Sequence, residues 1–510
     1  MNGSPRTSDL ARITEAQRVA ARDIAQDPTQ EVPWTILIEG WLARGVFHKA
    51  VESALSATAA IPASHGLQGM LAFSRLMNRD FPEAKSVIES LWSTRPTDLT
   101  ALTHIGLVAA GLGQHDLAKA ALERALHLRP DDPQLQFNLA TALRNFGELA
   151  GAEQLYDSVI RCRPDHWEAY RNRSELRRQT LDRNHVPELK AAIGGVGSDW
   201  RGAMMLYYAL GKEQEDLGDH DEAFTSYDTG AKLRRLHMQY AVAADLEQLN
   251  RIRQVFNEEW VHGQPIGCQN AEPIFIIGLP RAGSTLLERM IGAHRDVFAA
   301  GELHNFGICV GQLVQRLEQS QRTGLIEASA RLDPFQLGEA YLASTRHRTG
   351  KHPRFIDKLP DNFLYAGLIA TALPNAAIIH VHRDPPDAGF AIYKTLFNQA
   401  YPFSYDLREI GRYIRGYQKL MEHWHELLPS RIIDVAYEEL VDDSERVIRE
   451  VFQRCHLSFD PRSLSFFRSS EAITTASAVQ VRQPIYRSSV ESWRHYARHL
   501  GPLLEELKMP

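Results

Sequence analysis

The clearest chemistry in this 510-residue chain lies in Gly278-Leu279-Pro280-Arg281-Ala282-Gly283-Ser284-Thr285. The apolar run Pro273 to Ile277 comes just before it and reads as a buried strand. Leu286, Leu287, Met290 and Ile291 follow at helical spacing. A strand, a glycine-bearing turn and a helix N-terminus aim several backbone N–H groups and the positive end of the helix dipole at one spot, which suits an anion. The hydroxyls of Ser284 and Thr285 and the guanidinium of Arg281 add donors. The frame is G-x-x-x-x-G-x-[ST], but Ser284 stands where nucleotide hydrolases carry the lysine that reaches the β- and γ-phosphates. The pattern therefore points away from an ATPase or GTPase and toward a different phosphate-bearing ligand. For this motif taken alone, a tight strand-to-helix turn is the bland alternative.

Two further runs have the same form. Ala376 to His382 is a strand candidate that leads straight into Arg383-Asp384-Pro385-Pro386-Asp387, and Arg431 to Val435 is another that leads into Tyr437-Glu438-Glu439-Leu440. In a parallel sheet, functional groups gather where the strands deliver their carboxyl ends, so the three polar clusters are expected together. His380 and His382 alternate along one strand and share a face, which favours one packing role for both over a place in the chemistry.

Taken together and in this order, the clusters from Ala271 to Leu507 resemble the sulfotransferase family, whose members move a sulfuryl group from 3′-phosphoadenosine 5′-phosphosulfate to an acceptor hydroxyl. Within it they are most similar to protein-tyrosine sulfotransferases and to bacterial proteins pairing tetratricopeptide repeats with this domain. The resemblance implies that Arg281, Ala282, Gly283, Ser284 and Thr285 hold the 5′-phosphosulfate and that Arg383 pairs with the 3′-phosphate. It also implies that Tyr437 lines the adenosine end, and that Ser477 and Arg482 close over the donor. Glu302, in Gly301-Glu302-Leu303, is the implied general base. Lys358, in Asp357-Lys358-Leu359-Pro360, acts with Arg281 on the leaving phosphate. The transferred group is monoanionic, so the resemblance calls for no metal. The chain departs from the family in two places: Ala391 replaces a serine eight residues after the 3′-motif arginine, and Ser492 replaces a lysine of the tyrosine enzymes. These departures keep open a non-catalytic scaffold with a decayed domain, and a phosphoryl-transfer enzyme using the same loop is a more distant alternative.

The elements that must position these groups differ between the two halves. Pro28, Pro62, Pro96, Pro130 and Pro164 recur every 34 residues, the period of tetratricopeptide repeats. Ala50, Ala84, Ala118 and Ala152 keep the same step, as small residues must where antiparallel helices approach closely. The best unit runs from about Leu99 to Asp132, and a later one holds Gly211, Ala223 and Tyr227. The expected fold class is α + α/β. An all-α tetratricopeptide solenoid covers 1–245, irregular near 170–200, and a linker covers 246–270. A P-loop-like α/β domain with a parallel sheet follows over 271–510. Such an array binds a peptide or protein in its groove, supports the second half, or mediates homodimerisation.

Composition limits the partners. Charged residues make up 24%, hydrophobic residues 44%, and formal net charge is -6, which excludes a dominant nucleic-acid footprint. Apolar runs are strand-length, short of the roughly 20 residues of a membrane span. The first residues are polar and lack the apolar stretch of a secretory leader. Cys162, Cys268, Cys309 and Cys455 have no paired spacing, which suits a reducing compartment. A cytoplasmic protein is expected.

Overall fold

The computed structural model of the chain describes residues 7–317, 324–350, 352–397, 400–468 and 480–509. Ser477 lies outside the described residues. The chain divides into two compact units, Met1–Arg163 and Pro164–Pro510.

The first unit is helical. Its helices run Thr7–Gln26, Glu31–Ala43, Phe47–Ala60, His65–Met77, Phe81–Ser93, Leu99–Gly111, His115–Leu128, Pro133–Phe146 and Leu149–Cys162. The start signals are local: Asp98 accepts from the Ala101 amide at 2.7 Å and Asp132 from the Gln134 amide at 2.9 Å, satisfying amides that a helix start leaves orphaned. Pro62, Pro96 and Pro130 each fall just after a helix, where a residue without an amide proton ends the ladder. The small positions are fully enclosed: Ala50, Ala84 and Ala152 are 0% exposed and Ala118 1%. Around Ala84 lie Phe73, Ile88, Ala101 and Ile105.

The second unit joins further helices to a five-stranded sheet of order β2-β3-β1-β4-β5. The strands are β1 Pro273–Gly278, β2 Val297–Ala299, β3 Arg354–Lys358, β4 Ala377–His382 and β5 Ile432–Ala436, and every pairing is parallel. β1 is central and buried at every residue, which explains its unbroken apolar sequence. β2 and β3 were not evident as strands from sequence. β2 is short, and β3 ends in the charged pair Asp357-Lys358.

The repeat motif and the packing end at different places. Helices Trp200–Asp216 and His220–Leu236 have the tetratricopeptide pairing, yet they belong to the second unit. They are held there by long-range contacts. Lys394 Nζ meets Glu215 Oε1 at 2.6 Å, the Arg235 guanidinium takes both oxygens of Glu409 at 2.9 and 3.0 Å, and Phe224 stacks on His499. The span 246–270, expected as a linker, holds most of the helix Val242–Val255, which buries Leu249 and Ile252, and the short helix Glu258–His262. Among the described residues, no helix is long and apolar enough to cross a membrane.

Close helix approach at the repeat alanines has a testable cost. Overpacking a filled core costs about 1–3 kcal/mol. Ala84→Leu is therefore expected to lower the stability of the first unit by that amount in urea unfolding, and no loss would contradict the tight contact.

Candidate functional site

Register decides which side chains meet. Ile276 of β1 pairs with Lys358 of β3, Gly278 with Val381 of β4, and His382 with Ala436 of β5. The carboxyl ends of β3, β1, β4 and β5 therefore deliver Lys358, the 278–285 turn, Arg383 and Tyr437 side by side. Two glycines make the turn feasible. Gly278 has φ +147° and its missing Cβ leaves room for the Val381 carbonyl; Gly283 has φ +101° and leaves room for the Tyr437 ring. A side chain at either would be strained and would collide. Gly283 then opens the helix Ser284–Gly292, with Ser284 and Thr285 buried at its first turn.

One cleft of about 840 Å³, counting its open mouth, is lined by Arg281, Gly283, Ser284, Thr285, Arg383 and Tyr437. Arg383 Nη1 donates to the Arg281 carbonyl at 3.3 Å, its Nη2 donates to the Ser489 carbonyl, and its guanidinium lies 4.8 Å from the Tyr437 ring centroid. Its side chain is only 7% exposed. Burial pulls Arg281 below the ordinary arginine range, and the neighbouring charge of Arg383 adds to the effect. Two guanidiniums held together away from bulk water repel each other, and a bound anion relieves that repulsion.

The late segment, residues 481–493, runs along this cleft and is pinned to the helix Pro385–Tyr393, which follows Arg383. Buried Asp387 accepts from the amides of Glu491 and Trp493 at 2.6 and 2.9 Å and from the Ser492 hydroxyl at 3.1 Å. Val481 and Gln483 line the cleft on either side of Arg482. Arg482 itself is pulled below its ordinary pKa by burial and then by the nearby charge of Arg289. Ala282 is buried and lines the neighbouring cavity instead. Ala391 and Ser492 both face the cleft, so both departures from the family pattern fall where a ligand would sit.

Glu302 and Lys358 meet on the β3 side of the turn. Lys358 Nζ donates to Glu302 Oε1 at 2.5 Å and lies 4.0 Å from Glu288 Oε2. The lysine side chain is 2% exposed and the Glu302 side chain 45%. Burial pushes the Glu288 carboxyl up, and the Lys358 charge partly offsets this. Asp361, one short turn on, is pushed up to about 6 by burial and then by the charge of Glu302.

Sequence reasoning missed three polar lining residues, Lys394, Tyr486 and Ser489, and the apolar Val441 and Ile485. Lys394 had a signal, because it lies three residues beyond Ala391 and so shares its helix face. Tyr486 and Ser489 reach the cleft only because the late segment folds back.

Comparison with known proteins places two kinds of family match on the chain. Residues 273–461 match the sulfotransferase family, and residues 104–175 and 206–235 match tetratricopeptide repeats. An uncharacterized protein of Aquifex aeolicus (strain VF5) is 31% identical over 407 residues, which cover 78% of this chain and 53% of that protein. Protein FlbA of Caulobacter vibrioides is 27% identical over 231 residues, 42% of this chain and 37% of that protein. The chain thus spans about half the length, or less, of these relatives. Among solved structures, the sulfotransferase domain of the Synechococcus PCC 7002 olefin synthase aligns with TM-score 0.34 and 21% identity, covering 44% of this chain and 89% of that one.

The charged end of β3 yields a pH prediction. Burial pushes the Asp357 carboxyl up to about 7, although the Tyr341 hydroxyl donates to its Oδ2 at 2.8 Å. An unfolded aspartate titrates near 3.9, so the folded state binds this proton more tightly. The resulting stability is complete below about pH 4 and is lost as pH climbs through about 7. Asp357→Asn should flatten the decline in melting temperature between about pH 4 and pH 7; an unchanged slope would count against a protonated carboxyl.

Proposed function

With residues 273–461 forming a sulfotransferase-family domain among tetratricopeptide repeats, we propose that the chain moves a sulfuryl group from 3′-phosphoadenosine 5′-phosphosulfate to an acceptor hydroxyl, that of a protein tyrosine. The observation that carries this reading is the convergence of Arg281, Arg383 and a helix N-terminus on one cleft. The 3′- and 5′-phosphates of such a donor hang from one ribose and are only a few bonds apart. An arginine at each of two neighbouring strand ends gives each of those phosphates a cationic partner of its own.

In this reading the roles follow from chemistry. The turn amides, Ser284, Thr285 and Arg281 hold the 5′-phosphate as it becomes the leaving group. Arg383 takes the 3′-phosphate with its planar fork, and Tyr437 flanks it. The acceptor oxygen forms a bond to sulfur as the bond from sulfur to the phosphate oxygen breaks, and Glu302 accepts the hydroxyl proton. Lys358 holds Glu302 in place through their 2.5 Å contact and offers its remaining donors toward the bridging oxygen. A phenol, with pKa about 10, loses its proton more readily than an alkanol, which favours tyrosine as acceptor. No metal enters these steps. The tetratricopeptide repeats present the acceptor protein.

Lys394 answers the missing hydroxyl at Ala391. It lines the cleft one helical turn away and is held there by Glu215, so its ammonium is placed to replace the lost contact to the 3′-phosphate.

Two outcomes test the proposal. Incubating the protein with ³⁵S-labelled donor and a lysate of its source cell should label a protein on tyrosine. Glu302→Gln should lower turnover by about 10²–10⁴-fold, the usual worth of a general base, while leaving donor affinity unchanged. Donor binding without transfer to any acceptor would leave a scaffold, not an enzyme. A hydrogen bond to a charged group is worth about 1.5–3 kcal/mol. Lys394→Met should therefore weaken binding of adenosine 3′,5′-bisphosphate about tenfold or more in a protein with unchanged circular dichroism; unchanged affinity removes Lys394 from the site.

A further inference from the structure

On the β4–β5 side, a cavity that adjoins the donor cleft across Arg383 is lined by His380, His425, Asp434, Tyr417 and acidic residues including Glu422 and Glu426. We propose that His380, His425 and Asp434 form a site for a divalent first-row transition ion of the zinc class. Sequence reading gave His380 only a packing role and assigned no metal. The three groups come from β4, from the helix Leu407–Leu427 and from β5, and no local spacing joins them.

The donor atoms already converge. His380 Nδ1 lies 2.7 Å from Asp434 Oδ1, His425 Nε2 lies 2.8 Å from Asp434 Oδ2, and all three groups offer ligand atoms within 4.8 Å of one another. Zinc binds imidazole nitrogen and carboxylate oxygen at about 2.0–2.2 Å. An ion among these atoms would thus need only a small outward shift of each. Three protein ligands with a fourth position open to the cavity is a common arrangement for such an ion.

The far side of each ring strengthens the assignment. His425 Nδ1 lies 2.6 Å from the Met421 carbonyl, and a carbonyl only accepts. That nitrogen must carry the proton, so the neutral ring turns its Nε2 lone pair toward a carboxylate oxygen. The 2.8 Å approach of Nε2 to the carboxylate oxygen brings two ligand atoms to the place where a metal ion would bridge them. His380 is held similarly, its Nε2 hydrogen-bonded with the Tyr417 hydroxyl. Partners of this kind on the outer nitrogen orient metal-binding histidines and fix their tautomer. The surrounding carboxylates supply the negative field that a divalent cation requires.

The decisive measurement is zinc chloride titrated into chelator-stripped, tag-free, full-length protein by calorimetry, with cobalt(II) absorbance reporting the ligand set. Wild type is expected to bind one ion, with a visible cobalt band typical of nitrogen and oxygen ligands. His425 is partly exposed on its helix, so His425→Ala should fold. It is expected to weaken the site by at least the roughly 10–100-fold that loss of an outer partner alone costs, with Asp434→Asn behaving alike. No uptake by wild type overturns the proposal and leaves a protonated His–Asp–His network. Uptake that is equal in wild type and His425→Ala overturns it too, because the ion would then sit on other histidines.

Discussion

Two arginine side chains set at the carboxyl ends of adjacent parallel strands repel each other, and much of the second unit is arranged to keep them there. Arg281 sits in a turn that exists because Gly278 and Gly283 take positive φ and have no Cβ. Arg383 is fixed by the carbonyls of Arg281 and Ser489 and by the Tyr437 ring. Asp387 lies 3.9 Å from Arg383 and ties the late segment down over it. Asp387 faces Arg383 as an ion pair, while burial and then the charge of Arg383 still pull Arg281 down, so an anion that enters the cleft meets two cationic groups at once. The pair Glu302–Lys358 stands one strand away, at the end of β3.

The two ends of the sheet do different work. Toward β3 the groups are a lysine and carboxylates, with Glu288, Asp357 and Asp361 all pushed up by burial, an environment fit for handling protons. Toward β5 the donor cleft offers the Tyr437 ring beside Arg383. β4, which leads into Arg383, also carries His380, whose ring joins the Asp434 and His425 network in the adjoining cavity.

What the sequence disclosed was whatever is local. The strand–turn–helix at 273–291 was legible because an apolar run, two glycines and a helical period adjoin one another. The repeat array was legible because prolines and alanines keep a fixed step. The Arg383 and Tyr437 clusters could be placed in one cleft because a parallel sheet aligns strand ends. What stayed hidden depends on distant residues meeting. Lys394 is committed to the cleft partly by Glu215, a residue of the repeat-like helices, and the same contact draws those helices into the second unit, so motif and packing boundaries diverge. Tyr486 and Ser489 depend on a fold-back pinned by Asp387, and the His380–Asp434–His425 network joins three elements. None of these has a spacing that sequence could announce.

The central claim is that Arg281 and Arg383 read two phosphates on one ribose. Calorimetry comparing adenosine 3′,5′-bisphosphate with adenosine 5′-monophosphate tests it directly, using wild type and Arg383→Ala. Wild type should bind the bisphosphate far more tightly, and the variant should lose that preference while keeping its affinity for the monophosphate. Equal affinity of folded wild type for both nucleotides, or no heat with either, would contradict it.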